Sequence, residues 1–351
     1  MSQFNGKNLT IEILGESHSE FISANVKGFP QIKVNLSELD EFLSRRKASK
    51  KSFSTSRKES DTPIFEGIEN GKINGEFKVK ILNENKRSND YDNLIGKPRP
   101  SHADYAWYLK DGQTNFSGGG RFSGRLTAPL CVVGGIAKQY LKELGIYIHA
   151  YIRSIGNVVG KSYKNQTIEK DQFNLSDYKE FPALGNSEQM LDEIIKAKQG
   201  GDSLGGVIEC IVYGMKKGVG DNLFSGLEGK ISSLVYSIPA VKGVEFGDGF
   251  DITNKLGSEA NDPLVFKNDQ VCFLKNSSGG INGGISNGES ITLSVAFRPT
   301  PSISKEQQTV DLINKTNTKI VIGGRHDSCI VPRAVPCVES AVAIAILDEI
   351  L

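Results

Sequence analysis

Apolar residues recur at helical spacing in four segments of the chain, and we predict that these segments are helices. Ser37 and Asp40 in the first segment have the spacing of a capping box. The second segment stops at Gly145 and the third at Gly200, and glycine commonly ends helices. The predicted helices cover residues 37–47, 127–144, 187–199 and 335–351, and the last is apolar enough to be buried.

Four further segments have the alternating or short apolar pattern of strands. They cover residues 77–82, 146–152, 207–213 and 291–297. Helices and strands are mixed without the strict alternation of a doubly wound parallel sheet. The chain contains no proline-rich linker, low-complexity tract or internal repeat. The pattern therefore predicts an α+β fold in a single domain over residues 1–351.

Composition and charge place the 351-residue chain among globular proteins, because 24% of its residues are charged, 38% are hydrophobic and the formal net charge is +1. The N-terminus lacks the basic and apolar regions of a signal peptide, and the apolar run 341–347 is too short to span a bilayer. We expect a cytoplasmic protein with no membrane association. The five cysteines have no C-x-x-C or metal-ligand spacing, so we expect reduced thiols and no metal site.

Glycine is frequent and clustered, since it accounts for 38 of 351 residues against a usual fraction of about 7%. Arginines stand beside several clusters, as Arg121 and Arg125 do after the glycines at 118–120. Guanidinium groups and glycine-rich backbone both bind anions, whereas surface ion pairing would leave the glycines unexplained. The clusters match neither the P-loop nor the Rossmann motif, which disfavours ATP and NAD sites. The pattern predicts a small polyanionic ligand.

Three of the four histidines lie in short motifs: His18 in GESHS, His102 in RPSHADY and His326 in GGRHD. Because the imidazole pKa lies near neutral pH, these histidines are candidates for general acid catalysis, and a solvated loop histidine is the alternative for each one alone. His149 lies inside the alternating segment IYIHAYI and is expected to be structural. Ser203 in GDSLGG lacks the G-x-S-x-G elbow, so we expect a turn residue.

A basic segment, RRKASKKSFSTSRK at residues 45–58, contains no acidic residue and is predicted to be a loop. It has three interpretations: a solvated loop, a nucleic-acid-binding arm, or a lid over an anionic substrate. Its only aromatic residue is Phe53, which weakens the case for stacking on bases. We favour the lid and expect no nucleic-acid partner.

Eight motifs in chain order resemble the signature blocks of chorismate synthases from about residue 11 to the C-terminus. They are GESHS, RPSHADY, GGGRFSGRLTA, GDSLGG, AVKGVEFGDGF, GGINGGISNGES, FRPTPSI and GGRHDSCIVPRAVPCVES. The resemblance implies the family's β-α-β sandwich, assembled as a homotetramer. It also implies a carbon-oxygen lyase that eliminates phosphate from 5-enolpyruvylshikimate 3-phosphate in a 1,4-anti reaction to give chorismate. The implied cofactor is reduced FMN, which undergoes no net redox change, with NADPH as a candidate reductant.

The same resemblance assigns roles to individual residues. His18 would protonate the departing phosphate, His102 would protonate the reduced flavin near N1, and Asp327 would act with flavin N5 in removing the ring proton. Arg46, Arg125 and Arg333 resemble the substrate-binding arginines. The implied FMN contacts are Arg121, Phe122, Ser123, Pro239, Ala240, Gly283, Arg298, Pro299, Thr300, Pro301, Ser302 and Arg325.

Four positions depart from the family's usual motifs, namely Ser19, Ser52, Phe122 and Leu126. They leave the proposed catalytic residues intact and therefore bear on ligand contacts rather than on the reaction class. One rival hypothesis is a flavoprotein of the same fold that acts on a related phosphorylated substrate, which the intact catalytic residues disfavour. The other rival is a nucleic-acid-binding protein that uses its basic loop.

Overall fold

Two antiparallel sheets enclose a layer of helices in the computed structural model of the chain. The structure describes residues 2–47, 60–84, 94–116, 118–164, 181–323 and 327–351. The strands are β1 (Ser2–Asn5), β2 (Thr10–Gly15), β3 (Phe21–Lys33), β4 (Ile64–Glu66), β5 (Lys72–Leu82), β6 (Tyr147–Ile155), β7 (Val158–Val159), β8 (Gly206–Tyr213), β9 (Val241–Phe246), β10 (Leu264–Lys267), β11 (Gln270–Phe273), β12 (Ile281–Asn282), β13 (Ile285–Ser286), β14 (Ile291–Phe297), β15 (Gln307–Asp311) and β16 (Thr316–Ile320). The helices are α1 (Leu36–Ser44), α2 (Asp104–Asp111), α3 (Thr127–Glu143), α4 (Ser187–Gln199), α5 (Leu227–Tyr236), α6 (Gly257–Ala260) and α7 (Val331–Ile350).

The two main sheets have the strand orders β1-β2-β3-β5-β4 and β7-β6-β8-β14-β9. Helix α3 packs on β3 and β5 of the first sheet, α7 packs on β6 and β8 of the second, and the two helices contact each other. This arrangement confirms the predicted α+β class. The largest hydrophobic cluster of the described residues runs through both sheets and the helices between them. The single domain over residues 1–351 stays a prediction.

Helix α7 is buried along almost its whole length, because apolar residues cover every side of it. A Cβ atom added to Gly134 of α3 would overlap Ser340 of α7, so glycine at this position lets the two helices approach closely. Helix α7 begins at Val331, four residues before the predicted start. Pro332 suits its first turn, where the missing N–H would have no helical partner. In the described parts of the chain, no helix is both long and apolar enough to cross a membrane.

Most predicted elements occur with small shifts in their ends. Helix α4 and strand β14 have the predicted bounds, and α3 and β8 differ from them by one residue. Strand β5 begins five residues earlier than predicted and buries Ile73. The predicted capping box of α1 is wrong, because Asn35 caps this helix by accepting a hydrogen bond from the Glu38 N–H at 3.2 Å.

The helix layer contains a buried ion cluster centred on Glu339 of α7. This carboxylate accepts hydrogen bonds from Arg45, from Lys138 and from the backbone N–H of Ala150. Burial alone would raise the pKa of Glu339, but the charges of Arg45 and Lys138 hold it far below its usual range. Burial and the nearby Lys138 lower the pKa of His149 in β6 to about 4, which supports a neutral, structural histidine.

Candidate active site

A cavity of about 730 Å³ opens where loops from both halves of the chain meet, and its volume falls within the range of small-molecule sites. It brings together residues that the sequence separates by more than three hundred positions. The predicted site residues that line it are His18, Arg46, His102, Arg121, Phe122, Ser123, Arg125, Pro239, Ala240, Arg298, Thr300, Pro301, Ser302, Asp327 and Arg333.

Among the described residues, two predicted FMN contacts do not line the cavity. Pro299 stands between the lining residues Arg298 and Thr300. Gly283 lies in the turn between β12 and β13. The next residue, Gly284, packs tightly against the carbonyl of Asp221, and Gly283 does not line the cavity. Arg325 lies outside the described residues, as do His326, Ser52, Phe53 and the basic segment from residue 48 onward.

Positive charge dominates the lining of the cavity. Among the described lining residues, seven are lysine or arginine and only two are carboxylates, Asp61 and Asp327. Lys47, Arg99 and the five predicted arginines supply these cations. Such an excess favours ligands that carry phosphate or carboxylate groups.

His18 is held in a fixed turn after β2. Asn83 donates from Nδ2 to the carbonyls of Glu16 and Ser19, at 3.1 and 3.0 Å. A Cβ atom added to Gly118 would overlap the His18 Nε2, and Gly118 has a φ of +61°. Glycine is therefore required at residue 118 for the backbone to approach the imidazole.

A buried carboxylate orients His102. Asp104 accepts hydrogen bonds from Arg99 Nε at 2.7 Å and Nη2 at 2.8 Å, and its Oδ1 lies 2.5 Å from His102 Nδ1. Burial alone would raise the pKa of Asp104, but the bonds from Arg99 and His102 lower it to about 2. An ionised Asp104 can only accept, so His102 donates through Nδ1 and keeps Nε2 for a ligand.

Two of the predicted substrate arginines share one carboxylate, that of Asp61. Arg46 Nη1 donates to Asp61 Oδ2 at 2.6 Å, and Arg125 Nη1 donates to Asp61 Oδ1. Arg46 also bonds to Thr127 Oγ1, while Arg125 Nε donates to Asn83 Oδ1 at 2.9 Å. Sequence reasoning missed Asp61 and Asn83, which stand alone in the sequence without a recognisable motif.

Asp327 is paired with the third predicted substrate arginine. Arg333 donates from Nη1 to Asp327 Oδ2 at 2.6 Å and from Nε to the carbonyl of Arg46 at 3.1 Å. The Thr300 hydroxyl donates to the Asp327 carbonyl, and the Ser203 hydroxyl donates to the Thr300 carbonyl. The Ser203 hydroxyl therefore fixes a loop of the cavity wall, which supports the interpretation of Ser203 as a turn residue.

The sequence profile of the chorismate synthase family matches residues 9–351 of the chain. The chorismate synthase of Dehalococcoides mccartyi is 41% identical over 352 residues, which cover 99% of this chain and 96% of that protein. The chain belongs to the chorismate synthase family. It is also 40% identical to the chorismate synthase of Thermococcus gammatolerans over 350 residues, covering 99% and 97% of the two proteins. The resemblance and the assignment to an enzyme of this lyase type are confirmed.

A crystal structure of a chorismate synthase has the same fold. Its TM-score is 0.76 at 24% sequence identity, and the match covers 99% of this chain and 93% of the other. This likeness confirms the predicted β-α-β sandwich of the chorismate synthase type.

Two of the described departures from the family's motifs turn away from the cavity. The Ser19 hydroxyl accepts from the Glu16 N–H within the turn, and Leu126 packs against the hydrophobic core. Phe122 does line the cavity and contacts Trp107, with the rings 5.5 Å apart at 68°. The unusual side chain at residue 122 therefore changes the cavity wall itself.

Proposed function

We propose that the cavity binds reduced FMN beside 5-enolpyruvylshikimate 3-phosphate and catalyses the 1,4-anti elimination of phosphate that yields chorismate. The observation that carries this proposal is the convergence of His18, His102 and Asp327 on one strongly cationic cavity. Membership of the chorismate synthase family gives the same reaction.

The cavity residues fit a flavin nucleotide and a phosphorylated substrate. Ser17 is only 2% exposed, and its hydroxyl lines the cavity without a protein partner among the described residues, so a ligand can satisfy it. Among the described residues assigned to FMN, the cations are Arg121 and Arg298, and the assigned residues at 122–123, 239–240 and 300–302 line the same cavity. Reduced FMN held by these residues would supply electron density to the reacting ring and recover it, and NADPH is the proposed reductant.

The two histidines would act as acids at different places. His18 Nε2 lies against Gly118, and we assign it to protonation of the departing phosphate. His102 carries a proton on Nδ1 that is committed to Asp104, so its Nε2 is the atom that can hold a proton toward the flavin. Asp327, held by Arg333, is the carboxylate assigned to removal of the ring proton.

We expect Arg125→Ala and Arg333→Ala to raise the KM for substrate by roughly 10- to 100-fold, because each removes a charge-assisted partner of a phosphate or carboxylate. Arg153→Ala is the matched control, since Arg153 pairs with Glu209 on the second sheet and does not line the cavity. Steady-state kinetics of the three variants measure the effect. Unchanged KM and kcat in both cavity variants would remove these arginines from the substrate site.

FMN binding can be followed through Trp107, the only tryptophan in the chain. The Arg121 guanidinium lies over its ring at 4.8 Å, and Phe122 contacts it. We expect added FMN to quench Trp107 emission and to change the visible spectrum of the flavin, and Arg121→Ala to weaken both effects while Arg153→Ala does not. Binding of nucleic acid with a steep salt dependence, and no response to FMN, would favour the rival hypothesis.

A homotetramer belongs to the same proposal. Large apolar side chains are exposed within residues 223–274, among them Phe224 at 97% and Phe266 at 82% exposure. Exposed apolar side chains of this size favour a protein interface, and a second copy of the chain is the proposed partner. In such an assembly, the predicted contact between Gly283 and FMN would form across the interface.

A further inference from the structure

Asp61 lies between two arginines at the cavity wall. Its two carboxylate oxygens accept hydrogen bonds from different guanidinium groups, Oδ2 from Arg46 and Oδ1 from Arg125. Asp61 and Arg46 are each 5% exposed, and Arg125 is 7% exposed. This buried triad carries two positive charges and one negative charge in the cavity wall.

The partners of the two arginines show why the carboxylate matters. Arg46 donates to Thr127 Oγ1 and to the carbonyl of Gly124, and Arg125 donates to the carbonyl of Leu82. These partners are uncharged, whereas Asp61 is a carboxylate that pairs with both guanidinium groups and so reduces their mutual repulsion. Burial would raise the pKa of Asp61, but Arg46 and Arg125 lower it below its usual value, so the carboxylate stays ionised near neutral pH.

The backbone at this residue is also specialised. Asp61 has a φ of +49°, in the left-handed region that aspartate and asparagine enter more readily than other residues with side chains. Asparagine can therefore replace Asp61 with the same backbone and nearly the same shape. The substitution removes the charge and one of the two acceptors, because the amide nitrogen donates and cannot accept from a guanidinium group.

We infer that Asp61 is a positioning residue that holds Arg46 and Arg125 in one orientation and weakens their hold on phosphate. The inference rests on the proposed function only in taking these two arginines to be anion-binding groups. A fixed pair of guanidinium groups orients the substrate, and the nearby carboxylate repels the phosphate group and so favours its release as product.

The first test is the binding of inorganic phosphate to the full-length chain, measured by calorimetry and by the shift in Tm. We expect Asp61→Asn to lower the Kd for phosphate by about tenfold or more, because phosphate then replaces the lost negative charge between two buried guanidinium groups. Glu209→Gln is the matched control, since Glu209 is a buried carboxylate paired with Arg153 outside the cavity. The Glu209→Gln protein should bind phosphate with the wild-type Kd. An Asp61→Asn affinity that is unchanged or weaker would overturn the inference.

The second test separates positioning from a structural role. In Asp61→Asn, kcat should fall about tenfold or more without a rise in KM, because the arginines still attract the substrate but no longer orient it. A rise in KM at constant kcat would overturn the inference. The phosphate titration needs no turnover, so it still tests Asp61 if the wild-type chain makes no chorismate.

Asp61→Glu keeps the test decisive if the asparagine variant does not fold. Glutamate retains the negative charge, so the Kd of the Asp61→Glu protein for phosphate should stay within about threefold of the wild-type value. Its kcat should still fall about tenfold, because the longer side chain cannot reach both guanidinium groups without moving them. Wild-type kcat in Asp61→Glu would overturn the positioning role.

Discussion

His18→Ala is expected to slow turnover by roughly 10²- to 10⁴-fold, the usual effect of losing a general acid, while leaving FMN binding nearly intact. The structure supports this expectation because the imidazole lies against Gly118 at the cavity, in a turn that Asn83 fixes independently of the histidine. Stopped-flow measurement of phosphate release, together with FMN titration, tests both parts. His149→Ala is the matched control, since His149 lies in β6 outside the cavity.

His102→Ala should slow turnover by a similar factor and should also lower the apparent pKa of reduced FMN bound in the cavity. The sign follows because a proton donor beside the flavin favours its protonated, neutral form over the anion, and alanine withdraws that donor. A pH titration of the bound reduced flavin spectrum measures the shift. If His18→Ala moves this titration and His102→Ala does not, the two roles are reversed. If neither variant loses activity, neither histidine takes part in the reaction.

Local patterns predicted the secondary structure wherever the local signal was strong. Helix α4 combines an amphipathic pattern with glycines at its end, and its bounds agree with the prediction. The start of α7 was missed because prolines at 332 and 336 obscure the helical pattern, although both lie inside the helix. The cap of α1 was missed because Asn35 and Ser37 are equally plausible from sequence, and only the backbone geometry selects Asn35.

The candidate site was predictable only where its residues stand in motifs. His18, His102 and Asp327 lie in motifs that resemble the family's blocks, and the structure brings all three to one cavity. Asp61 carries no such mark, because its role depends on contacts with Arg46 and Arg125, the second of which is 64 positions away. Contacts across such separations are a property of the fold, and no local pattern encodes them.

Gly283 shows that a residue in a recognisable motif can also be placed away from the predicted site. The family resemblance assigns this glycine to FMN, yet its hairpin packs against the segment around Asp221 in a single chain. The motif predicts that Gly283 contacts FMN, but it does not predict which copy of the chain supplies the glycine. We propose that a homotetramer explains this difference, and we expect the mass of the protein in solution to be that of four chains.

We expect this chain to make chorismate in a reaction that needs reduced FMN but consumes no reductant. The most direct measurement is an anaerobic assay with 5-enolpyruvylshikimate 3-phosphate and chemically reduced FMN, in which chorismate and phosphate are quantified against the flavin present. We expect equal amounts of the two products, many per flavin, and none with oxidised FMN when no reductant is present. Equal rates with oxidised FMN under strict anaerobiosis, or no chorismate from protein that binds reduced FMN, would contradict the account.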